Sequence, residues 1–266
     1  MNQAIGLDHV GIVGRDLGTL AAAFESLGFH LTPLARHAGG RTGNRCAMLP
    51  EGGYLELMST IDGGTSATLD RFLARHAGAH ILALGIDNEN AVADRLRRAW
   101  GSVPDATPTD RAVDDADPDG PRARFSLIVP PDRPEGRVHL IRHETPEALW
   151  QPRFLRHENN ALALEEVILV VPDPAVTAAW YSTLAGRPVV PDPAGGFALP
   201  LPHGRVRILH AGAFDGPEPP SIAAIALRTG DGHAAARLVL EKGNMAYAVT
   251  DDCMHVKIAG ITVRFR

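Results

Sequence analysis

The chain is poor in cysteine, with two in 266 residues, Cys46 and Cys253. They form no CxxC pair, so they supply neither a disulfide framework nor a zinc knuckle. Each reads as a small buried apolar residue. Long apolar runs are also missing. No window reaches about eighteen apolar residues, so no helix is expected to cross a membrane. Excess positive charge is missing as well. A formal net charge of −5 leaves no basic surface to meet phosphate, which argues against a nucleic-acid partner. The opening MNQAIGLDHV has no basic stretch before an apolar one and already reads as a strand, so a cytoplasmic location is expected rather than secretion. No GxSxG elbow, GxxxxGK[ST] phosphate loop or GxGxxG turn occurs. What remains is a globular composition, 45% hydrophobic, with length enough for one large or two ordinary domains.

What is present is a repeat. LDHVGIVGRD (Leu7 to Asp16) is a short apolar strand leading into a helix. It returns as AHILALGID (Ala79 to Asp87) and as EEVILVVPD (Glu165 to Asp173). The spacing from His9 to Asp16, from His80 to Asp87 and from Glu166 to Asp173 is the same. Helical runs follow each strand: Leu17 to Leu27, Glu89 to Trp100 and Ala175 to Ala185. Strands are expected at Phe29 to Leu34, Arg45 to Leu49 and Tyr54 to Met58, giving βαβββ, with His37 to Arg45 a turn-rich loop. A second unit repeats the plan to Arg142, a third runs from Leu164 to about His210, and a degraded fourth follows. The expected fold is α+β, with a domain over 1–142, a polar connector over 143–162 and a second domain over 163–266.

Each unit ends on a strand opened by glycine. Three residues after Gly53, Gly136 and Gly204 stand Glu56, His139 and Arg207. Strand alternation puts His9 on the face of Leu7, Gly11 and Val13, opposite Asp8, Val10 and Ile12. The first unit therefore marks His9 and Glu56, the second His80 and His139, the third Glu166 and Arg207. Aligned likewise, the fourth offers Ala224 and Val263. Competing metal signals are weaker. His76 and His80 are four apart, but Gly78 and a new strand intervene. DADPDG (Asp115 to Gly120) opens like a calcium loop, yet its twelfth position is Ser126 where glutamate is required.

These phrases, with RTGN (Arg41 to Asn44), GGYLELM and TPEALWQPRFLRHENNALAL, resemble the glyoxalase-like-domain branch of the vicinal oxygen chelate superfamily. That superfamily includes glyoxalase I, extradiol dioxygenases and bleomycin-binding proteins. The resemblance implies four βαβββ modules paired into two curved-sheet cups. In the first cup His9, Glu56, His80 and His139 would hold one divalent metal: Zn, Ni, Fe, Co or Mn. The second cup should hold none, with Glu166 and Arg207 as a structural ion pair.

Imidazole and carboxylate suit those ions, and a partly neutralised ion remains a Lewis acid toward two adjacent substrate oxygens. Glu56 could also act as a base, and Tyr54, two residues away on the same face, as a proton donor. Met58 reads as a pocket wall. His37, Arg41 and Asn44 read as loop residues at the cup mouth, able to reach a substrate or simply to shape a turn. His143, His157 and Asn160, in the connector, read as structural. The leading expectation is a metal-dependent lyase or isomerase acting on a small oxygen-rich or carbonyl substrate, as a monomer or homodimer. An iron-dependent extradiol-type dioxygenase and a non-catalytic protein that sequesters a small molecule are the alternatives.

Overall fold

A computed structural model describes residues 2–250 and 253–266. The first half contains β1 (Ala4–Val13), α1 (Leu17–Ser26), β2 (Ala35–Arg36), β3 (Thr42–Met48), β4 (Tyr54–Thr60), α2 (Ala67–Leu73), β5 (Gly78–Ile86), α3 (Glu89–Trp100), β6 (Thr107–Ala112), β7 (Arg122–Ile128) and β8 (Arg137–His143). A short helix, α4 (Pro146–Leu149), and a 3-10 turn at Pro152–Phe154 make the connector. The second half repeats the plan with β9 (Ala161–Val171), α5 (Pro174–Ala185), β10 (Val190–Pro191), β11 (Phe197–Pro200), β12 (Arg205–His210), β13 (Ser221–Thr229), α6 (Ala234–Lys242), β14 (Ala248–Thr250), β15 (Cys253–Ile258) and β16 (Ile261–Phe265). Each half forms one eight-stranded sheet. The orders are β2-β3-β4-β1-β5-β8-β7-β6 and β10-β11-β12-β9-β13-β16-β15-β14. The α+β architecture of paired modules is as expected. Among the described residues no helix is long and apolar enough to cross a membrane.

The same local chemistry starts the crossover helix of the first three modules. Asp16 caps α1 by accepting from the Thr19 N–H at 2.7 Å. Asn88 caps α3 by accepting from Ala91 at 2.9 Å. Asp173 caps α5 by accepting from Ala175 and Val176 at 3.0 and 3.1 Å. A side-chain oxygen here satisfies an N–H that has no partner inside the helix, and Asn serves as well as Asp. The helices turn apolar stripes such as Leu17, Leu20, Ala21 and Phe24 onto the convex side of the sheets. Val10, Ile12, Leu82 and Leu84 of the first sheet and Val167 and Leu169 of the second share that core.

Three sequence expectations shift. Phe29 to Leu34 is not a strand: Pro33 cannot donate to a ladder, and only Ala35–Arg36 pair with β3. The RTGN phrase is not loop throughout, because Thr42 to Arg45 belong to β3 and Asn44 pairs opposite Met58. Third, every module's first strand carries a β-bulge. Register skips between Leu7 and His9 on β1, Ala79 and Ile81 on β5, Leu164 and Glu166 on β9, and Ile222 and Ala224 on β13. The extra residues are Asp8, His80, Glu165 and Ala223. The residues that face into the cups after each bulge are His9, Ile81, Glu166 and Ala224.

Candidate metal centre

The concave face of the first sheet gathers His9 from β1, Glu56 from β4 and His139 from β8. β1 and β4 run parallel, with Gly11 opposite Glu56, and β5 and β8 likewise, with Ala83 opposite His139. His9 Nε2 lies 3.7 Å from Glu56 Oε2. The His9 and His139 rings are 6.2 Å apart, centre to centre, and nearly edge-on. No side-chain hydrogen bond engages His139 among the described residues. No three His, Cys, Asp or Glu side chains among those residues already stand in coordinating geometry.

His80 does not join them. It is fully buried. Its ring stacks on Phe72 at 4.8 Å and on His76 at 4.3 Å, and its Nε2 bonds the His76 carbonyl at 2.9 Å. The bulge is the reason: His80 is the extra residue, and the position that matches His9 is Ile81, which is apolar and 3% exposed. The first-strand imidazoles of the two modules therefore point to different surroundings, and of the four residues expected to converge only His9, Glu56 and His139 share the cup. The calcium-like Asp115 to Gly120 segment is a turn, tied to β2 by an ion pair from Arg36 to Asp115 at 2.7 Å.

The corresponding bulge on β1 brings in Asp8, which strand alternation assigns to the opposite face. Asp8 Oδ1 is 2.7 Å from His9 Nδ1, and His143 Nε2 reaches Asp8 Oδ2 at 3.2 Å. A carboxylate on Nδ1 fixes the imidazole with a proton there and leaves Nε2 turned toward Glu56. Burial works against the Asp8 charge, but the His143 and His9 contacts prevail and hold its carboxyl down at about 2. Burial also works against a charged His9, yet Asp8 and then Glu56 raise its pKa. Burial, reinforced by the charge of His9, pushes His139 down to about 3, so it stays a neutral, metal-ready imidazole.

Glu56 is gripped from the other side. Asn44, wholly buried, donates to its Oε1, and His37 Nε2 lies 3.3 Å away. His37 is itself tied to Thr42 Oγ1 at 2.8 Å and to Asn44 at 3.1 Å. Burial alone would raise the Glu56 pKa, but His37, His9 and Asn44 hold it well below the carboxylate range. A carboxylate so held is a poor proton acceptor and a good anionic ligand, contrary to a role as base. His37 and Asn44 are thus partners of Glu56 rather than mouth residues. Arg41 is exposed, and its carbonyl accepts from Ile61. Met58 packs with Val13, Ile81, Leu69 and Phe72 as a wall.

Tyr54 stacks on His9 at 4.6 Å and meets Trp150 edge-on at 5.7 Å. Burial, with the nearby Asp8 and Glu56 charges, raises its pKa well above the usual value, so the phenol keeps its proton and remains able to donate a hydrogen bond. Trp150 is anchored by its indole N–H to the Leu49 carbonyl at 3.1 Å. With Leu149 and Phe154 it seals one end of the cup against Cys46, Met48 and Ala123. Both Cys46 and Cys253 are buried and unpaired, as expected. His157 and Asn160 are structural, as expected: His157 bonds the Met48 carbonyl and the His30 N–H, and the Asn160 carbonyl accepts from Gly230. His143 departs from that expectation, since it ends β8 and faces Asp8.

One cation was not visible in the sequence. Arg111 on β6 stands close enough for its charge to act on His9, Cys46 and Tyr54. Its Nε is buried without an acceptor. The segment around it is the most irregular in the chain, and no repeat marks it.

The family model for the glyoxalase-like domain matches residues 7–185. No curated protein sequence matches. Solved structures do. A hypothetical protein from Staphylococcus aureus superposes with a TM-score of 0.70 at 16% identity, covering 98% of both chains. The Mn(II)-bound glyoxalase from Novosphingobium aromaticivorans gives 0.57 at 13% identity, over 100% of this chain and 82% of that one. An extradiol ring-cleaving dioxygenase from B. fuscum gives 0.57 at 13%, over 99% and 72%. At such identities the likeness is one of fold.

Proposed function

Because the chain belongs to the glyoxalase-like domain family, within the vicinal oxygen chelate superfamily, we propose that its first cup is the centre of a divalent-metal-dependent enzyme acting on a small oxygen-rich or carbonyl substrate, of lyase or isomerase type. The ligands in this reading are His9, Glu56 and His139. The observation that carries it is the Asp8–His9–Glu56 line, with Nδ1 held at 2.7 Å and Nε2 left facing the carboxylate. Residues supporting a metal ligand from behind in this way orient it and raise its basicity. The unbonded, neutral His139 fits the same purpose. An ion bound there would supply Lewis acidity to two adjacent substrate oxygens.

The remaining steps belong to the chain. Arg111, with an unsatisfied N–H, binds negative charge that builds on the substrate. Tyr54, kept neutral, donates a hydrogen bond and cannot take a proton. Leu149, Trp150 and Phe154 exclude water from one end, which strengthens every charge interaction inside. Glu56 stays an anion throughout.

A second reading rests on the loss of His80. Two imidazoles and one carboxylate are the ligand composition of iron-dependent oxygenases with open positions. Reconstitution separates the two. The metal-free chain is loaded with Mn(II), Zn(II), Ni(II) or Fe(II) and offered 2-oxoaldehyde thiol adducts under argon and catechols in air. The lyase or isomerase reading expects anaerobic turnover of the carbonyl compound. Oxygen uptake with Fe(II) alone would replace it with the dioxygenase, and failure to bind any metal would leave a small-molecule binder.

A further inference from the structure

In the second cup, register gives three positions matching His9, Glu56 and His139. They hold Glu166, Arg207 and Arg264: Glu166 pairs opposite Arg205, Ile168 opposite Arg207, and Ala226 opposite Arg264. Counting three residues on from the turn glycine points to Val263, but Val263 is fully buried in the shared core and Arg264 faces the cup. Where the first cup has two imidazoles and a carboxylate, the second has one carboxylate and two guanidinium groups. Arg205 and Arg266 add two more.

The pairing is uneven. Glu166, with no side-chain exposure, accepts from Arg205 Nε at 2.7 Å, Arg264 Nη1 at 3.0 Å and Arg266 Nη2 at 3.2 Å. Arg207 lies 3.5 Å from it and is committed bidentately to Asp192, at 2.6 and 2.7 Å. Among the described residues, four cations thus meet two anions. Two neighbouring carboxylates among the described residues are engaged elsewhere, Glu165 with Arg228 at 3.3 Å and Asp215 with Lys257 at 2.6 Å. Four guanidinium groups also carry more N–H donors than two carboxylates can accept. Arg264 Nε is buried without an acceptor.

A cluster evolved only to fill the cup would gain from neutrality, because uncompensated charge away from water is costly. Among the described residues this one keeps a surplus of two positive charges, and two of its arginines reach solvent. The side chain of Arg205 is 49% exposed and that of Arg266 27%. A cleft of about 450 Å³ whose lining includes Phe214, Asp215, His255, Lys257 and Thr262 lies against β15 and β16; the four arginines are not part of that lining, but His255 pairs directly opposite Arg264. We propose that the second cup is a binding site for a small oxyanion carrying two negative charges, the chemistry shared by a phosphate group and a dicarboxylate.

The test is calorimetric titration of the full-length, metal-free chain with inorganic phosphate and, separately, with malonate. Saturable binding at one site per chain is expected, unchanged in Glu56→Gln. Losing a charge-assisted hydrogen bond should weaken it by about 10- to 100-fold in Arg264→Gln. Arg205→Gln, at a half-exposed position with little risk to folding, should weaken it in the same direction. Tighter binding of phosphate assigns a phosphate ligand, and tighter binding of malonate a dicarboxylate. Absence of saturable binding of either by the wild-type chain overturns the proposal, as does wild-type affinity in folded Arg205→Gln.

Discussion

Replacing His80 with glutamine should change how stability depends on pH and leave metal binding alone. Glutamine can still donate to the His76 carbonyl but does not titrate. Burial drives the His80 pKa down to about 4 in the folded chain, against 6.5 for the free side chain. A depressed folded value means that this histidine stabilises the fold above pH 6.5 and withdraws that support as pH falls toward 4. Near pH 5 the unfolded chain has taken up the proton and the folded chain has not. Working through the linkage, the wild type should lose about 2 kcal/mol between roughly pH 7.5 and pH 5 that the variant does not lose. That corresponds to a difference of about 4–8 °C in the pH-dependent shift of Tm. Urea titrations of both chains at the two pH values, in chelator, measure the double difference, in which every other titrating group cancels. Equal pH dependence in the two chains would refute the buried, neutral His80. So would protection of His80 by added metal, which would return it to the ligand set.

Four further outcomes follow from named contacts. Asp8→Asn removes the anion behind His9 and should weaken metal binding by about 10- to 100-fold with little loss of fold, as read by competition with a chelating dye. Gly53→Ala should destabilise by about 1–3 kcal/mol in urea titrations, since Gly53 has a φ of +78° and a Cβ there would meet the Leu164 Cβ at 2.8 Å. Glu166→Ala strips the buried carboxylate from four arginines and should cost about 3 kcal/mol or more by the same assay. Its arginine partners hold the Glu166 pKa below the ordinary value, although burial opposes them. The stabilisation from Glu166 is therefore present above the free carboxylate range and lost as pH falls through the folded value, so Glu166→Gln should flatten the acid limb of the stability curve.

Much of the architecture could be read from the repeat, because the first three modules share the same strand, helix cap and apolar stripe. His9, Glu56 and Glu166 were legible for that reason. His80 was not, because spacing was counted to Asp87, whereas the residue that caps α3 is Asn88. Counted to the caps, His9 to Asp16, Ile81 to Asn88 and Glu166 to Asp173 are equal steps. Strand alternation has a period of two, so an error of one residue carries a side chain out of the site. The bulges hid Asp8 for the same reason, since an extra residue re-aims its side chain. Arg264 was displaced by one more residue between the turn glycine and its register position. Arg111 and the role of His143 depend on how the sheet curls, which no local pattern encodes.

The central claim is that His9, Glu56 and His139 share one divalent ion in the first cup. Its most direct test is metal content after loading with Mn(II) and desalting, for the wild type and for His9→Ala, Glu56→Ala, His139→Ala and His80→Gln, each checked for folding by circular dichroism. One ion per chain is expected in the wild type and in His80→Gln, with loss in the other three. Wild-type metal content in folded His9→Ala and Glu56→Ala would contradict the site.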